Sequence, residues 1–208
     1  MVRYLIGASA GWKTPDRRNN CLRTWMADCD LLGIPSMLLF GVEKLSTPEL
    51  YGHALLLPCP DSYETLPQRT RWFCKWALER DDWDYLFKCD DDTYVAAIRL
   101  MEYCPKGEYV GIDFGSFCSG GAGYLLSRRC AQIVAEHMTI THGAEDVMVG
   151  GLLRASGIPI INDKRFVAYG KEDERPTASN NIITAHHITN EMFNRVHVEV
   201  GIKTKFRI

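Results

Sequence analysis

Short continuous apolar runs alternate along this chain with stretches whose apolar positions recur at helical spacing. Residues 3–9 (RYLIGAS) read as a first strand. Thr14-Pro15 then opens a helix, with proline at its first position. Cys21, Leu22, Trp25, Met26, Cys29 and Leu32 continue it at helical spacing, and Gly33 and Pro35 end it. Residues 36–42 (SMLLFGV) and 54–57 are continuous apolar runs, the pattern of strands buried on both faces. A helix is predicted near 67–80, with Trp72, Phe73 and Trp76 on one face. Residues 85–89 (YLFKC) form a fourth strand that ends at Asp90-Asp91-Asp92.

The second half is less regular. Residues 109–113 and 122–126 read as strands, and Ser127 caps a helix reaching about residue 138. Residues 145–153 are a further helix, and 159–161 and 166–168 are short strand candidates. The polar, proline-containing segment 171–181 reads as a mobile loop, and 182–187 and 196–208 as extended. The alternation predicts a single α/β domain over 1–208, with a central, mostly parallel twisted sheet flanked by helices. In such sheets ligands bind beyond the carboxyl ends of strands, which is where the three aspartates fall.

Composition narrows the class. A chain of 208 residues, 46% hydrophobic, suits one domain with a full core. The formal net charge of -2, with no basic run, argues against nucleic acid as the main partner. No apolar stretch is long enough to span a membrane. Met1-Val2-Arg3 leads directly into a strand, without a signal peptide. The expectation is a cytoplasmic protein or a soluble domain of a larger one. The eight cysteines form no C-x-x-C pair, and Cys21, Cys29, Cys74 and Cys89 sit in apolar company, so they read as buried free thiols.

Four constellations can carry chemistry. Adjacent Asp90, Asp91 and Asp92 repel one another, and a hard cation such as Mg²⁺ or Mn²⁺ relieves that repulsion. Alternation lets the first and third point one way and share a site. A solvated acidic turn is the competing reading, and the strand end between apolar residues favours the cation. Gly120-Gly121-Ala122-Gly123 allows close backbone approach to a ligand, or simply a tight turn. Glu145-Asp146 opens a helix, where a carboxylate serves as a cap or as a general base. His186-His187 can complete a metal shell begun by carboxylates, or be partly buried without a ligand.

In order along the chain these pieces resemble the fringe-like and β-1,3-galactosyltransferase group, glycosyltransferase family 31. Arg18, Arg23, Thr24 and Trp25 look like the family's R…R-x-T-W helix, and Phe40-Gly41 like its strand ending in glycine. Asp61-Ser62-Tyr63, Leu66 and Arg69-Thr70 resemble its D-x-Y-x-N-L-T-x-K-T segment, with Thr65, Pro67 and Arg69 as departures. Leu86 to Asp92 resembles the strand and D-x-D metal motif. Gly120 to Ser127 matches G-G-A-G-Y-x-L-S, and Glu145-Asp146-Val147 matches E-D-V. His186 or His187, followed by Glu191-Met192, is similar to the C-terminal metal-binding histidine region.

The resemblance implies a GT-A fold, a UDP-sugar donor, Mn²⁺ (Mg²⁺ as the alternative) and inversion at the anomeric carbon. Its implied metal ligands are Asp92, Asp90 and either His186 or His187. Its implied donor contacts are Ser9, Arg17 or Arg18, Asp61, Arg69, Asp90, Asp91, Gly121, Ala122 and Gly123. Asp146 is the implied base toward a hydroxyl of a carbohydrate or glycoconjugate acceptor. Family members usually carry an N-terminal anchor and a luminal stem, so a luminal Golgi domain separated from its anchor is the alternative location. Two other functions compete: a metal-dependent phosphohydrolase or nucleotidyltransferase, and a non-catalytic carbohydrate-binding module on a degenerate transferase fold.

Overall fold

A computed structural model describes residues 2–139, 143–170 and 174–202. Its elements in chain order are β1 (Tyr4–Ser9), α1 (Pro15–Arg23), α2 (Trp25–Leu32), β2 (Ser36–Gly41), β3 (Glu49–Tyr51), β4 (Ala54–Leu57) and α3 (Leu66–Leu78). They continue with β5 (Tyr85–Asp90), β6 (Tyr94–Val95), α4 (Ala97–Glu102), β7 (Tyr109–Gly111), β8 (Tyr124–Ser127) and α5 (Arg128–His137). The last are α6 (Glu145–Ala155), β9 (Ile160–Asn162), β10 (Phe166–Val167), β11 (Thr184–Ala185) and α7 (Asn190–Val200).

The main sheet has the order β3-β4-β2-β1-β5-β8-β7-β9. Its centre, β4-β2-β1-β5, is parallel, whereas β8 runs antiparallel to both β5 and β7. Strand alternation sends Ile6, Ala8, Leu38, Phe40 and Phe87 into one core, which Trp25, Met26, Leu100 and Phe193 cover. Leu5, Leu39, Leu55, Leu57 and Leu86 enter the opposite core, under Phe73, Trp76, Val134 and Leu153. Helices therefore cover both faces, which is why β1 and β2 read as unbroken apolar runs.

A second sheet, β10-β11-β6, sets the geometry of the site. β6 lies just after Asp92 and β11 just before His186. Their antiparallel register, Ala185 opposite Tyr94, brings the two histidines to the aspartates, and Ile188 N donates to Asp92 O at 3.0 Å.

Several expectations need correcting. The single helix expected from Thr14 to Gly33 is broken at Thr24 (φ -116°, ψ -105°), whose hydroxyl donates back to Asn20 O at 2.5 Å. Residues 190–200, half of which were expected to be extended, form α7. Thr189 caps this helix by accepting Met192 N, and Phe193 and Val196 form its buried face. Residues 203–208 lie outside the described residues, as do 171–173 of the expected mobile loop. The remainder of that loop is held by Arg99, which donates to Thr177 O at 2.6 Å and Ile182 O at 2.7 Å. Short β3, β6 and α4 were not expected. Seven cysteines are buried and all eight are free, leaving Cys104 exposed.

Candidate active site

The carboxyl ends of β1 and β5 open into a cleft of about 700 Å³. Ser9, Thr14, Arg17, Asp61 and Arg69 line one side, Asp90, Asp91 and Asp92 the floor, and Gly121, Asp146, His186 and His187 the other side. Residues separated by more than a hundred positions thus meet at the strand ends of an α/β sheet.

The three aspartates divide their duties. Asp92 Oδ1 lies 3.1 Å from His186 Nε2, and Asp92 Oδ2 lies 3.7 Å from His187 Nδ1. One ligand atom from each of Asp92, His186 and His187 falls within 4.8 Å of the others. Asp90 also faces His186, at 4.0 Å from Nε2, but its other oxygen is held by Lys88 Nζ at 3.0 Å. Asp91 turns toward α1, accepting Thr14 Oγ1 at 2.9 Å and standing 3.6 Å from Arg17 Nη1, which also lies 3.1 Å from Asp92 Oδ2. The two outer aspartates therefore both face His186, although Asp91 and Asp92 lie in the turn after β5, and Asp91 bonds to the residue before α1 instead.

Electrostatics follow this division. Burial would raise the Asp92 carboxyl, but the hydrogen bond and charge of His186, with Arg17 nearby, hold it below the ordinary carboxylate range. Burial dominates at Asp91 and pushes it up to about 6, against the opposing effects of Thr14 and Arg17. Burial, then the neighbouring His186, lowers the His187 imidazole. His187 also holds a left-handed backbone at φ 59°, a conformation rare for a residue with a side chain.

Two histidine nitrogens and a carboxylate oxygen make a donor set that can hold a first-row divalent cation, Mn²⁺ among them, without selecting it. Gly121 permits the arrangement, since a Cβ there would overlap the His186 ring. Its carbonyl accepts Thr93 Oγ1 at 2.6 Å, which holds the glycine segment against the aspartate turn.

Asp146 stands at the start of α6. Its Oδ2 accepts Gly120 N at 3.0 Å and its Oδ1 accepts Val147 N at 2.9 Å. These bonds fix the carboxylate, which lines the cleft and retains unused lone pairs. On the donor side, buried Arg69 donates to Asp61 Oδ1 at 2.5 Å and to Ala10 O at 2.9 Å. Ser9 Oγ is buried and makes no hydrogen bond among the described residues.

Three candidates lie outside the lining. Arg18 packs its guanidinium over Trp12 and Phe40 and donates to Gly11 O. Ala122 is fully buried, its carbonyl accepting Thr184 Oγ1. Gly123 takes φ 93° beside Phe87, where a Cβ would clash, and so turns the chain into β8.

A buried network beneath the floor escaped the sequence reading. Lys88, 2% exposed, donates to Asp90 Oδ1, to Glu145 Oε2 at 3.1 Å and to Gly120 O at 3.4 Å. Tyr124 donates to the other oxygen of Glu145. A lysine inside the apolar strand YLFKC was the available signal, because a buried ammonium requires partners.

This architecture is the GT-A glycosyltransferase fold. A solved glycosyltransferase involved in the glycosylation of the major capsid of PBCV-1 superposes with TM-score 0.61 and 12% identity, covering 94% of this chain and 99% of that one. The catalytic domain of Drosophila β1,4-galactosyltransferase 7, solved with xylobiose, superposes with TM-score 0.51 and 10% identity, over 98% of this chain and 82% of that one. Among curated sequences, the chain is similar to Hydroxyproline O-galactosyltransferase GALT5 of Arabidopsis thaliana, 27% identical over 53% of this chain and 21% of the relative. Probable β-1,3-galactosyltransferase 13 of the same plant is 28% identical over 50% of this chain and 35% of its own length. These relatives are of the glycosyltransferase family 31 type, so the resemblance read from the sequence stands. The chain spans about a fifth to a third of the length of these two relatives. No protein-family model matches it. No helix among the described residues is long and apolar enough to cross a membrane.

Proposed function

We propose that this domain transfers a sugar from a UDP-sugar donor to a hydroxyl of a carbohydrate or glycoconjugate acceptor, with inversion. One observation carries the reading: the Asp92–His186–His187 cluster and Asp146 line the same cleft, joined by the glycine segment. The curated relatives, all named as galactosyltransferases, support it.

In this reading Asp92, His186 and His187 would hold Mn²⁺. A bound divalent ion would supply positive charge to the donor diphosphate. Arg17, half-exposed at 3.1 Å from Asp92 Oδ2, presents its guanidinium to the same phosphates. Ser9 Oγ, Asp61 and Arg69 border the nucleoside. Asp90, steadied by Lys88, accepts from a donor hydroxyl or a bound water. Asp146 takes the proton of the acceptor hydroxyl, and that oxygen forms its bond to C1 of the sugar. The bond from C1 to the phosphate oxygen breaks on the opposite face, and UDP departs with the electron pair. General-base assistance of this kind contributes roughly 10²–10⁴-fold.

Incubation with Mn²⁺ and a panel of UDP-sugars, followed by mass spectrometry, tests the reading. Release of UDP together with a glycoside supports it. Inorganic phosphate or a nucleoside monophosphate as the first product would favour a phosphohydrolase or nucleotidyltransferase.

A further inference from the structure

A row of aromatic rings leads from α6 to the histidine pair. Phe117 and Phe114 stack at 5.8 Å between centroids, 12° from coplanar. Phe114 meets Tyr169 edge-on at 6.5 Å. Tyr169 stacks on His187 at 5.8 Å, and His187 on His186 at 3.8 Å. The outer rings face solvent, Phe114 at 45% and Tyr169 at 60% exposure.

The row is built, not fortuitous. Phe114 and Phe117 sit in a tight loop closed by Phe114 N donating to Phe117 O at 2.9 Å, with Gly115 at φ 89° supplying the turn. Gly115 N donates to Asp113 Oδ1 at 2.7 Å, and Asp113 bridges to Cys118. The loop is braced on α6, where a Cβ at Gly150 would lie 2.5 Å from Phe117 Cβ and Ser116 O. That helix carries Asp146 at its start. One support thus holds both the rings and the carboxylate, and Tyr169 lines the same cleft as Asp146.

We propose that Phe114 and Tyr169, whose rings stand 74° apart, form an aromatic corner against which a pyranose ring of the acceptor packs. The inference rests on the transferase reading for its orientation toward Asp146. A pyranose presents a face of C–H bonds and a rim of hydroxyls. Exposed aromatic faces match the first, and Asp146 and Ser119, which line the adjoining wall, match the second. A purely apolar partner would leave the remaining lone pairs of Asp146 and the Ser119 hydroxyl proton unmatched, at a cost. Tyr169 lines the cleft together with Asp146, so a ring packed on it sits in the same cleft as the proposed base.

Ligand-observed NMR tests this with four probes: the methyl β-pyranosides of galactose, glucose, xylose and N-acetylglucosamine. At least one is expected to bind, with ring-current shifts concentrated on the protons of its apolar face. Phe114→Ala should weaken that binding about fivefold to tenfold, and Phe114→Trp should stay within about twofold of wild type. Phe114 is used because Tyr169 touches His187. Absence of binding by all four probes overturns the aromatic corner, as does a Phe114→Ala variant that binds like wild type. UDP binding with Mn²⁺ is read on the same samples. Its absence in the wild type overturns the transferase reading. Absence of pyranoside binding by the wild type with its UDP binding intact overturns the aromatic corner alone.

Discussion

Lys88 Nζ lies 3.1 Å from Glu145 Oε2, in a contact that almost no solvent reaches. It joins the end of β5, with its three aspartates, to the start of α6, with Asp146. The net value of such a pair to stability is small, but breaking one half leaves a buried charge without compensation. Lys88→Met should therefore cost about 3 kcal/mol in denaturant unfolding. Replacing Glu145 by Gln in the same chain should restore part of that loss, since it removes the stranded carboxylate. A Lys88→Met variant as stable as wild type would show that the ammonium is dispensable.

Asp92→Asn should reduce Mn²⁺ binding by at least about tenfold, because it removes the anionic member of the cluster. Titration of the metal by electron paramagnetic resonance checks this. Wild-type affinity would place the ion elsewhere.

Gly121→Ala reaches the same site from a different element. Its new methyl would displace the His186 ring. Mn²⁺ affinity should fall while the far-UV circular dichroism spectrum keeps its shape. Unaltered affinity would mean that His186 is not a ligand or moves aside freely.

Asp146→Asn keeps the size of the side chain and removes the proton acceptor. UDP and Mn²⁺ binding should persist while transfer drops by about 10²-fold or more. Near-normal turnover in this variant would rule out Asp146 as the base.

A pH effect is expected at Asp163, just after the edge strand β9. Burial would raise Asp163, but hydrogen bonds from Arg165 and Tyr103 hold it below the ordinary carboxylate range. A group depressed on folding contributes stability above its unfolded pKa, about 3.9, and loses it as pH falls through the folded value. Asp163→Asn should therefore destabilise clearly at pH 7 and much less near pH 3. An equal effect at both values would exclude the charge as the cause.

Legibility in the sequence followed burial. β1, β2, β4 and β5 lie inside the sheet, so their apolar runs were plain, and the turn after β5 fixed the aspartates. The end of the chain was misread because Val196, Val198 and Val200 alternate like a strand. Helical spacing of Phe193 and Val196 decides the outcome, leaving Val198 75% exposed. Residue type and order nominated Asp92, Asp146 and the histidines. The orientation of Asp91 toward Thr14 was not legible, because it depends on where α1 starts relative to β5. Lys88 was visible in the strand, but its partner Glu145 is 57 positions away and only the tertiary fold joins them. Arg18 looked equivalent to Arg17 in sequence. One step along a helix turns the side chain by about 100°, which is enough to take it out of the cleft.

The most direct measurement is donor turnover by the purified chain with Mn²⁺, UDP-galactose and a mixed pyranoside acceptor pool, followed by mass spectrometry and chelator controls. The account predicts UDP release, a new glycoside of inverted anomeric configuration, and loss of both in EDTA. A product with retained configuration, or UDP release unaffected by EDTA, would contradict it.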